Sequence, residues 1–188
     1  MLREEVNKAF EVLKNGGLIL YPTDTIWGIG CDATNSEAVD RVFKLKGRSK
    51  EKSMIILLDH ENKLQSYVDE VPEVAYDLIA FSENPLTIIY SGAKNLAKNA
   101  IAQDGSIGIR IVRHEFCQQL LQRFRKPIIS TSANLSGNPA PLNFDEIDQS
   151  IKNGVDYVVD WERDDKKVKK SSTLMKLEPN GLFSFIRK

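Results

Sequence analysis

Short apolar runs alternate along this chain with stretches of helical hydrophobic periodicity, and this alternation is what most restricts the possible folds. The strand-like runs are residues 18–21, 54–58, 86–90, 107–112, 128–129, 157–159, 173–177 and 182–186. Helical spacing covers residues 6–13, 36–45, 116–124 and about 144–151, and Pro72 divides a further helical stretch, residues 59–82. Some neighbouring strands have no helix between them. The pattern therefore predicts an α/β fold with a twisted mixed β-sheet and flanking helices.

Length and charge limit the classes of protein that the chain can represent. Its 188 residues fit a single domain, residues 1–188, and 41% hydrophobic with 28% charged residues is a globular composition. Lys plus Arg and Asp plus Glu both number 26. Because the net charge is zero, any affinity for nucleic acid has to come from a local cluster of cations.

The cysteines, histidines and N-terminus predict a cytoplasmic protein without a metal site of its own. Cys31 and Cys117 are far apart, there is no CxxC motif, and His60 and His114 do not complete a zinc site. The N-terminus lacks the apolar core of a signal peptide, and no apolar run approaches the ~20 residues that span a bilayer. We expect reduced thiols and no membrane association.

One polar segment, residues 127–137, follows directly on a buried strand. Hydroxyl and amide side chains are concentrated in it: Ser130, Thr131, Ser132, Asn134 and Ser136. Ligands of open α/β sheets bind at the carboxyl ends of strands, so the segment is a candidate binding loop. The same residue types also form ordinary turns, and both interpretations stand at this point.

A second candidate is the basic segment that contains Lys46, Arg48, Lys50 and Lys52. Several cations at alternate positions can converge on a polyphosphate, although exposed Lys and Arg are also ordinary surface residues. Neither a Walker loop nor a dinucleotide fingerprint occurs, and the histidines have no nucleophile motif beside them. The inventory favours nucleotide binding through charge and positioning over hydrolase chemistry.

Five segments in sequence order resemble the motifs of the YrdC family, the threonylcarbamoyl-AMP synthases. They are residues 16–29, 46–48, 107–111, 130–137 and 171–174, and together they extend over nearly the whole chain. The resemblance implies an enzyme that joins L-threonine, bicarbonate and ATP into L-threonylcarbamoyladenylate and pyrophosphate, the first step of the t6A modification of tRNA. It also implies a sheet around a large concave, basic cavity.

The resemblance assigns roles to individual residues. Expected threonine contacts are Thr25, Arg110, Ser130 and Ser172. Expected ATP contacts are Arg48, Lys52, Ser132, Asn134 and Arg187. The catalytic set is expected to be Lys46, Arg48, Ser132 and Asn134. Mg²⁺ is expected to arrive with ATP, held by few protein ligands.

The chain departs from the family pattern at several places, two of them in loops, which leaves other functions open. Residues 82–85 lack the family's Trp-Pro-Gly-Pro, and Ser53-Met54 stands where a Pro-Leu is common. One alternative is therefore a divergent paralogue that uses another carbamoyl or acyl compound. The other is a translation or ribosome-maturation factor that binds tRNA or double-stranded RNA without catalysis. For the synthase, the implied partners are the proteins that transfer the carbamoyl group to tRNA.

Overall fold

A computed structural model describes residues 1–47, 49, 54–167 and 169–188 of the chain. The α-helices are α1 (Leu2–Lys14), α2 (Ser36–Lys46), α3 (Val74–Phe81), α4 (Glu115–Phe124) and α5 (Gln149–Gly154). The strands are β1 (Ile19–Tyr21), β2 (Gly28–Gly30), β3 (Ile55–Leu58), β4 (Leu86–Tyr90), β5 (Ile107–Ile111), β6 (Ile128–Ser132), β7 (Tyr157–Val158), β8 (Thr173–Leu177) and β9 (Phe183–Arg187). Two short 3₁₀ helices cover Glu61–Ser66 and Lys98–Ala100.

The nine strands of the described residues form one sheet, in the order β7-β1-β2-β6-β3-β5-β4-β8-β9. The pairs β7/β1, β3/β5 and β4/β8 are parallel, and the remaining five pairs are antiparallel. This arrangement confirms the predicted α/β class with a mixed sheet and flanking helices. β1 and β2, and likewise β8 and β9, have no helix between them and form antiparallel pairs, because a short connection reverses the chain direction.

The sheet separates two hydrophobic cores, and successive residues of a strand contribute to opposite cores. Leu57 and Ile128 pack with the apolar faces of α1 and α4, whereas Ile56, Leu58 and Ile129 pack on the other side with α2. Side chains alternate between the two faces of a strand, so runs that are apolar at every position are buried on both sides. This explains why the strand sequences are continuous apolar runs.

Helix α2 shows how local sequence sets the ends of an element that leads to the site. The side chain of Asn35 accepts hydrogen bonds from the backbone N–H groups of Glu37 and Ala38, so Asn35 caps the helix. At the other end Gly47 has a left-handed φ of 59°, which glycine adopts without steric cost. The helix therefore ends directly after Lys46.

Two details differ from the sequence-based expectation. Residues 28–30 are not among the predicted strands but form β2, because tertiary pairing with β1 and β6 orders them. The helix expected at about residues 144–151 is α5, Gln149–Gly154, because Asp148 caps it by accepting from the N–H of Ser150. Within the described ranges, no helix is both long and apolar enough to cross a bilayer.

Candidate functional site

A cavity of about 260 Å³ opens on the sheet face that carries α1 and α4. Gly108 and Arg110 of β5 line it, and so does Ser130 of β6. Arg110 is paired with Leu57, which packs in the α1/α4 core. Paired residues of neighbouring strands point to the same face of a sheet, so the cavity lies on the α1/α4 side. Six residues that were expected to bind substrates line this one cavity: Thr25, Arg110, Ser130, Ser132, Ser172 and Arg187.

Arg110 is a buried cation in this cavity, with 4% of its surface exposed. One of its terminal nitrogens lies 3.3 Å from Oδ1 of Asp24, but the contact lacks hydrogen-bond geometry, and Arg110 Nε has no partner among the described residues. Asp24 in turn accepts a hydrogen bond from the backbone N–H of Arg113 at Oδ2. A buried guanidinium whose N–H groups lack acceptors lowers the stability of the fold unless a bound anion accepts hydrogen bonds from them. The geometry fits the binding of a carboxylate.

Ser172 and Arg187 bring the C-terminal strands to the same cavity. The hydroxyls of Ser172 and Thr87 share a hydrogen bond of 2.7 Å. The guanidinium of Arg187 donates from Nε and a terminal nitrogen to the backbone carbonyl of Ser172, at 3.2 and 2.9 Å. A register shift between Leu174 and Met175 places Arg187 opposite Leu174, a residue of the cavity wall. Arg187 is thus anchored at the cavity with donors remaining for an anion.

Thr25 lies in the tight loop between β1 and β2. Thr23 Oγ1 accepts from the backbone N–H of Thr25 and donates to the carbonyl of Ile26, at 3.0 and 2.8 Å. The hydroxyls of Thr23 and Thr25 are 3.0 Å apart. This side-chain turn holds Thr25, which is buried, with its side chain beside the cavity.

Lys46 lies outside the cavity lining and is almost fully buried. Its ammonium donates to the backbone carbonyls of Ser132 and Asn134 and to Oδ1 of Asn134. Its own carbonyl accepts from the N–H of Ser136 at 2.8 Å. Lys46 therefore fastens the end of α2 to the polar segment after β6. Its geometry is that of a residue that positions the loop, while its expected catalytic contact stays a prediction.

Asn134 also holds the loop together. Its amide nitrogen donates to the backbone carbonyls of Leu135 and Asn138, at 3.1 and 2.6 Å, so both of its amide hydrogens have acceptors. Unlike Ser132, Asn134 does not line the cavity. Of the two residues expected beside the nucleotide, Ser132 faces the cavity and Asn134 shapes the turn. The expected ATP contact of Asn134 stays a prediction.

Arg48 and Lys52, the expected ATP contacts of the basic segment, lie outside the described residues, and so does Ser53. Among described residues that line the cavity, the cations are Arg110 and Arg187, and no carboxylate is present. The strongly basic lining thus stays a prediction. No cluster of three or more His, Cys, Asp or Glu residues suited to a metal occurs in the described ranges. Such a lining fits Mg²⁺ that is carried by its own ligand rather than held by the protein.

Two glycines of the cavity wall were not identified from the sequence. A Cβ on Gly108 would lie 3.3 Å from Ile55 Cγ1, and one on Gly28 would lie 3.3 Å from Ser130 Oγ. Both line the cavity from within strands, where glycine weakens the strand and permits close approach of a ligand. Glycine inside a strand pattern was the signal that could have identified them.

The cysteine near the site is not a nucleophile. Cys117 is buried and donates from Sγ to the carbonyl of Pro22 at 3.3 Å. Burial, with a smaller contribution from the Asp24 charge, raises the pKa of the Cys117 thiol well above its ordinary value. Because the thiolate is the reactive form, this thiol stays inert. Both cysteines are free, in agreement with the expected reduced thiols, and the structure buries both of them.

Comparison with known proteins identifies the family and agrees with the fold. Residues 11–188 match the Sua5/YciO/YrdC family, whose description is "Telomere recombination". The chain is 36% identical over 155 residues to a threonylcarbamoyl-AMP synthase of Pseudoalteromonas translucida, covering 81% of this chain and 83% of the relative. It is 37% identical over 145 residues to the synthase of Riesia pediculicola, covering 75% of this chain and 77% of the relative.

Two solved structures share the fold. Escherichia coli YciO has a TM-score of 0.85 at 24% identity, with 100% of this chain and 90% of that chain covered. P. abyssi Sua5 complexed with L-threonine has a TM-score of 0.82 at 25% identity, with 92% of this chain covered, and the chain spans half of that protein's length. The motif order, the residues gathered at one cavity, the family match and these relatives all agree: the chain belongs to the Sua5/YciO/YrdC family.

Proposed function

We propose that this protein is an L-threonylcarbamoyladenylate synthase. It would combine L-threonine, bicarbonate and ATP in the cytoplasm and release pyrophosphate, as the first step toward t6A in tRNA. The strongest support is the buried Arg110 guanidinium, which faces the cavity with unspent donors. Relatives that carry the synthase name, at up to 37% identity, supply the reaction class.

In this proposal the enclosed part of the cavity binds threonine. Arg110 binds the amino-acid carboxylate, because a planar guanidinium matches two carboxylate oxygens. The hydroxyls of Thr25, Ser130 and Ser172 would form hydrogen bonds with the amino and hydroxyl groups of the substrate. A volume of about 260 Å³ is small for a ligand site, which suits an amino acid.

ATP, with its Mg²⁺, would lie at the mouth of this cavity and extend beyond it, because a volume that suits an amino acid does not also hold a nucleotide. Arg187 and Ser132 face this volume and can donate to phosphate oxygens. Arg48 and Lys52 would add further phosphate contacts; their part in the proposal comes from the sequence motif. Lys46 and Asn134 keep Ser132 in place, which makes them positioning residues for the nucleotide.

The chemistry suits a site of this composition. The threonine amine and bicarbonate form a carbamate with loss of water, and a carbamate oxygen then attacks the α-phosphorus of ATP while the bond to pyrophosphate breaks. Negative charge is present on both nucleophile and leaving group, so fixed cations and hydroxyl donors lower the barrier. Holding the carbamate and ATP side by side lowers the activation barrier further. The product would pass to separate proteins that modify tRNA.

The direct test is detection of L-threonylcarbamoyladenylate by mass spectrometry after the purified chain is incubated with ATP, Mg²⁺, bicarbonate and L-threonine. We expect a product of the combined mass and stoichiometric pyrophosphate, both lost when any one substrate is omitted. Absence of product from folded protein under all these conditions would overturn the proposed activity.

Threonine binding is tested separately by titration calorimetry with L-threonine alone. Arg110→Gln keeps a polar side chain but removes the charge, and we expect an affinity at least about tenfold weaker, the value of one charge-assisted hydrogen bond. Arg123→Gln is the matched control, because Arg123 is exposed on α4 and does not line the cavity. Equal threonine affinity in the two variants would contradict the assignment of Arg110.

A further inference from the structure

Exposed apolar side chains are concentrated at one edge of the sheet. Seven large hydrophobic residues of the described chain are exposed, and five of them come from the end of α3 and from the β8–β9 hairpin and β9. We call these five the edge patch: Phe81, Leu182, Phe183, Phe185 and Ile186. Their exposed fractions lie between 48% and 82%. Phe81, Phe183 and Phe185 lie together on one face of this edge, whereas alternation along β9 places Leu182 and Ile186 on the other face. Soluble monomers seldom expose this many large apolar side chains at one edge of a sheet without a binding role.

The two edges of the sheet differ in how they are protected. At one edge β7 has only two residues, and the Arg163 guanidinium donates to the backbone carbonyls of Val158 and Val159, at 2.6 and 3.0 Å. At the other edge β9 has five residues, and no described strand pairs with its outer side. Short strands and capped carbonyls are common protections of sheet edges. β9 has neither of them.

The sequence of β9 also lacks the usual charges that prevent edge pairing. Residues 182–186 contain no charged side chain, and Arg187 is turned toward Ser172. The register of β9 with β8 is regular from Phe183 to Phe185, so the outer backbone groups of this stretch are presented as a straight edge. An open strand of this kind is suited to accept another strand.

A groove beside the edge patch adds to the apolar surface. It has a volume of about 390 Å³ and is lined mainly by side chains of α3, β4, β8 and β9, among them Val74, Leu78, Leu86, Met175 and Phe185. Helix α3 has one fully buried residue, Ala75, so much of its apolar surface faces this groove. The groove and the edge patch are continuous through Phe81 and Phe185.

The exposed area is enough for a dimer. An aromatic side chain offers roughly 200 Å² of surface, so the exposed parts of Phe81, Phe183 and Phe185 amount to about 360 Å², to which the exposed parts of Leu182 and Ile186 add. A stable interface buries about 800 Å² on each partner, somewhat more than half of it apolar. The edge patch therefore supplies the whole apolar share of one half-interface.

We propose that β9 is the interface of a homodimer, in which two copies pair their β9 strands antiparallel across a two-fold axis. This pairing satisfies the open backbone groups of both copies, covers the two edge patches and leaves no free edge at β9, so assembly stops at two. The interface ends at Arg187, which lines the substrate cavity, and each cavity thus lies next to the subunit boundary.

The test is sedimentation equilibrium of the full chain over a wide range of concentration. We expect a species of twice the 21.2 kDa monomer mass. Ile186→Lys introduces a charge beside the paired β9 strands, where the dimer would bury it, and we expect it to weaken the dimer at least about tenfold. Leu142→Lys is the matched control, since Leu142 is 51% exposed outside the edge patch, against 57% for Ile186, and it should leave the dimer intact.

Hydrogen exchange identifies the pairing itself. Amides of residues 183–187 should exchange more slowly in the dimer than in the Ile186→Lys monomer, while circular dichroism shows that the variant is folded. A wild-type chain that is monomeric at all concentrations would overturn the proposal. So would a dimer that Ile186→Lys leaves unchanged, or equal exchange of the β9 amides in dimer and monomer.

Discussion

Replacing Lys46 by Met is expected to destabilise the protein through the loop after β6. Methionine keeps the length and most of the packing of the lysine stem but removes the ammonium. The carbonyls of Ser132 and Asn134 then lose a donor in a buried environment. Each hydrogen bond from a charged group contributes about 1.5–3 kcal/mol, and the Lys46 ammonium donates more than one. The variant no longer has to desolvate the ammonium, which offsets part of this loss. We therefore expect a net loss of about 2–4 kcal/mol in the free energy of unfolding.

The free energy of unfolding is measured by urea denaturation, followed by circular dichroism. A loss of this size is a large part of the 5–15 kcal/mol typical of a domain, and it should lower the melting temperature by about 10 °C. Lys44→Met is the matched control: it makes the same chemical change one half-turn earlier on α2, at an exposed position, and should shift stability by less than about 0.5 kcal/mol.

Threonine titration of the same variants separates the positioning role from direct catalysis. Because Lys46 lies outside the cavity lining, Lys46→Met should still bind threonine at a temperature where it is folded. An unchanged free energy of unfolding combined with complete loss of turnover would refute the reasoning, since Lys46 would then act on the substrate rather than on the loop.

Four further outcomes are expected. Gly108→Val adds a side chain to the cavity wall, and its Cβ would lie 3.3 Å from Ile55 Cγ1. The protein should stay folded, and its affinity for threonine, measured by calorimetry, should fall at least about tenfold. Ser172→Ala removes the hydroxyl bonded to Thr87 and should cost about 1 kcal/mol in urea unfolding and weaken threonine binding. Glu5 receives hydrogen bonds from Lys8, Tyr157 and the N–H of Asp160; burial raises the pKa of Glu5, but these bonds outweigh it and hold the pKa below the ordinary 4.5. The contribution of Glu5 to stability should therefore be present above pH 4.5 and disappear as pH falls through the lowered pKa. In the variant Glu5→Gln, the urea midpoint should fall less steeply in acid. At pH 7 the variant should lose about 1–2 kcal/mol of unfolding free energy. Arg187→Gln should raise the KM for ATP more than the KM for threonine, and an equal effect on both would place Arg187 at the threonine end.

Most elements could be predicted because their signals are local. β4 at residues 86–90 and β8 at residues 173–177 were identified with their observed bounds, since each is a continuous apolar run between turn residues. β2 was missed because Gly28-Ile29-Gly30 has almost no strand propensity, and only pairing on both sides orders it. Helix α5 was misplaced because its start depends on the cap at Asp148 rather than on hydrophobic spacing.

The sequence by itself determined the strand and helix pattern and the motif residues, because these depend on residue type and local order. Only the tertiary structure decided which of these residues share a cavity. Arg110 and Ser172 are 62 positions apart and meet because β5 and β8 both flank β4. The basic segment around Lys46 predicts phosphate binding, yet the fold directs the Lys46 ammonium to the carbonyls of Ser132 and Asn134. The direction of a side chain depends on the neighbours that the fold supplies, which no local pattern encodes.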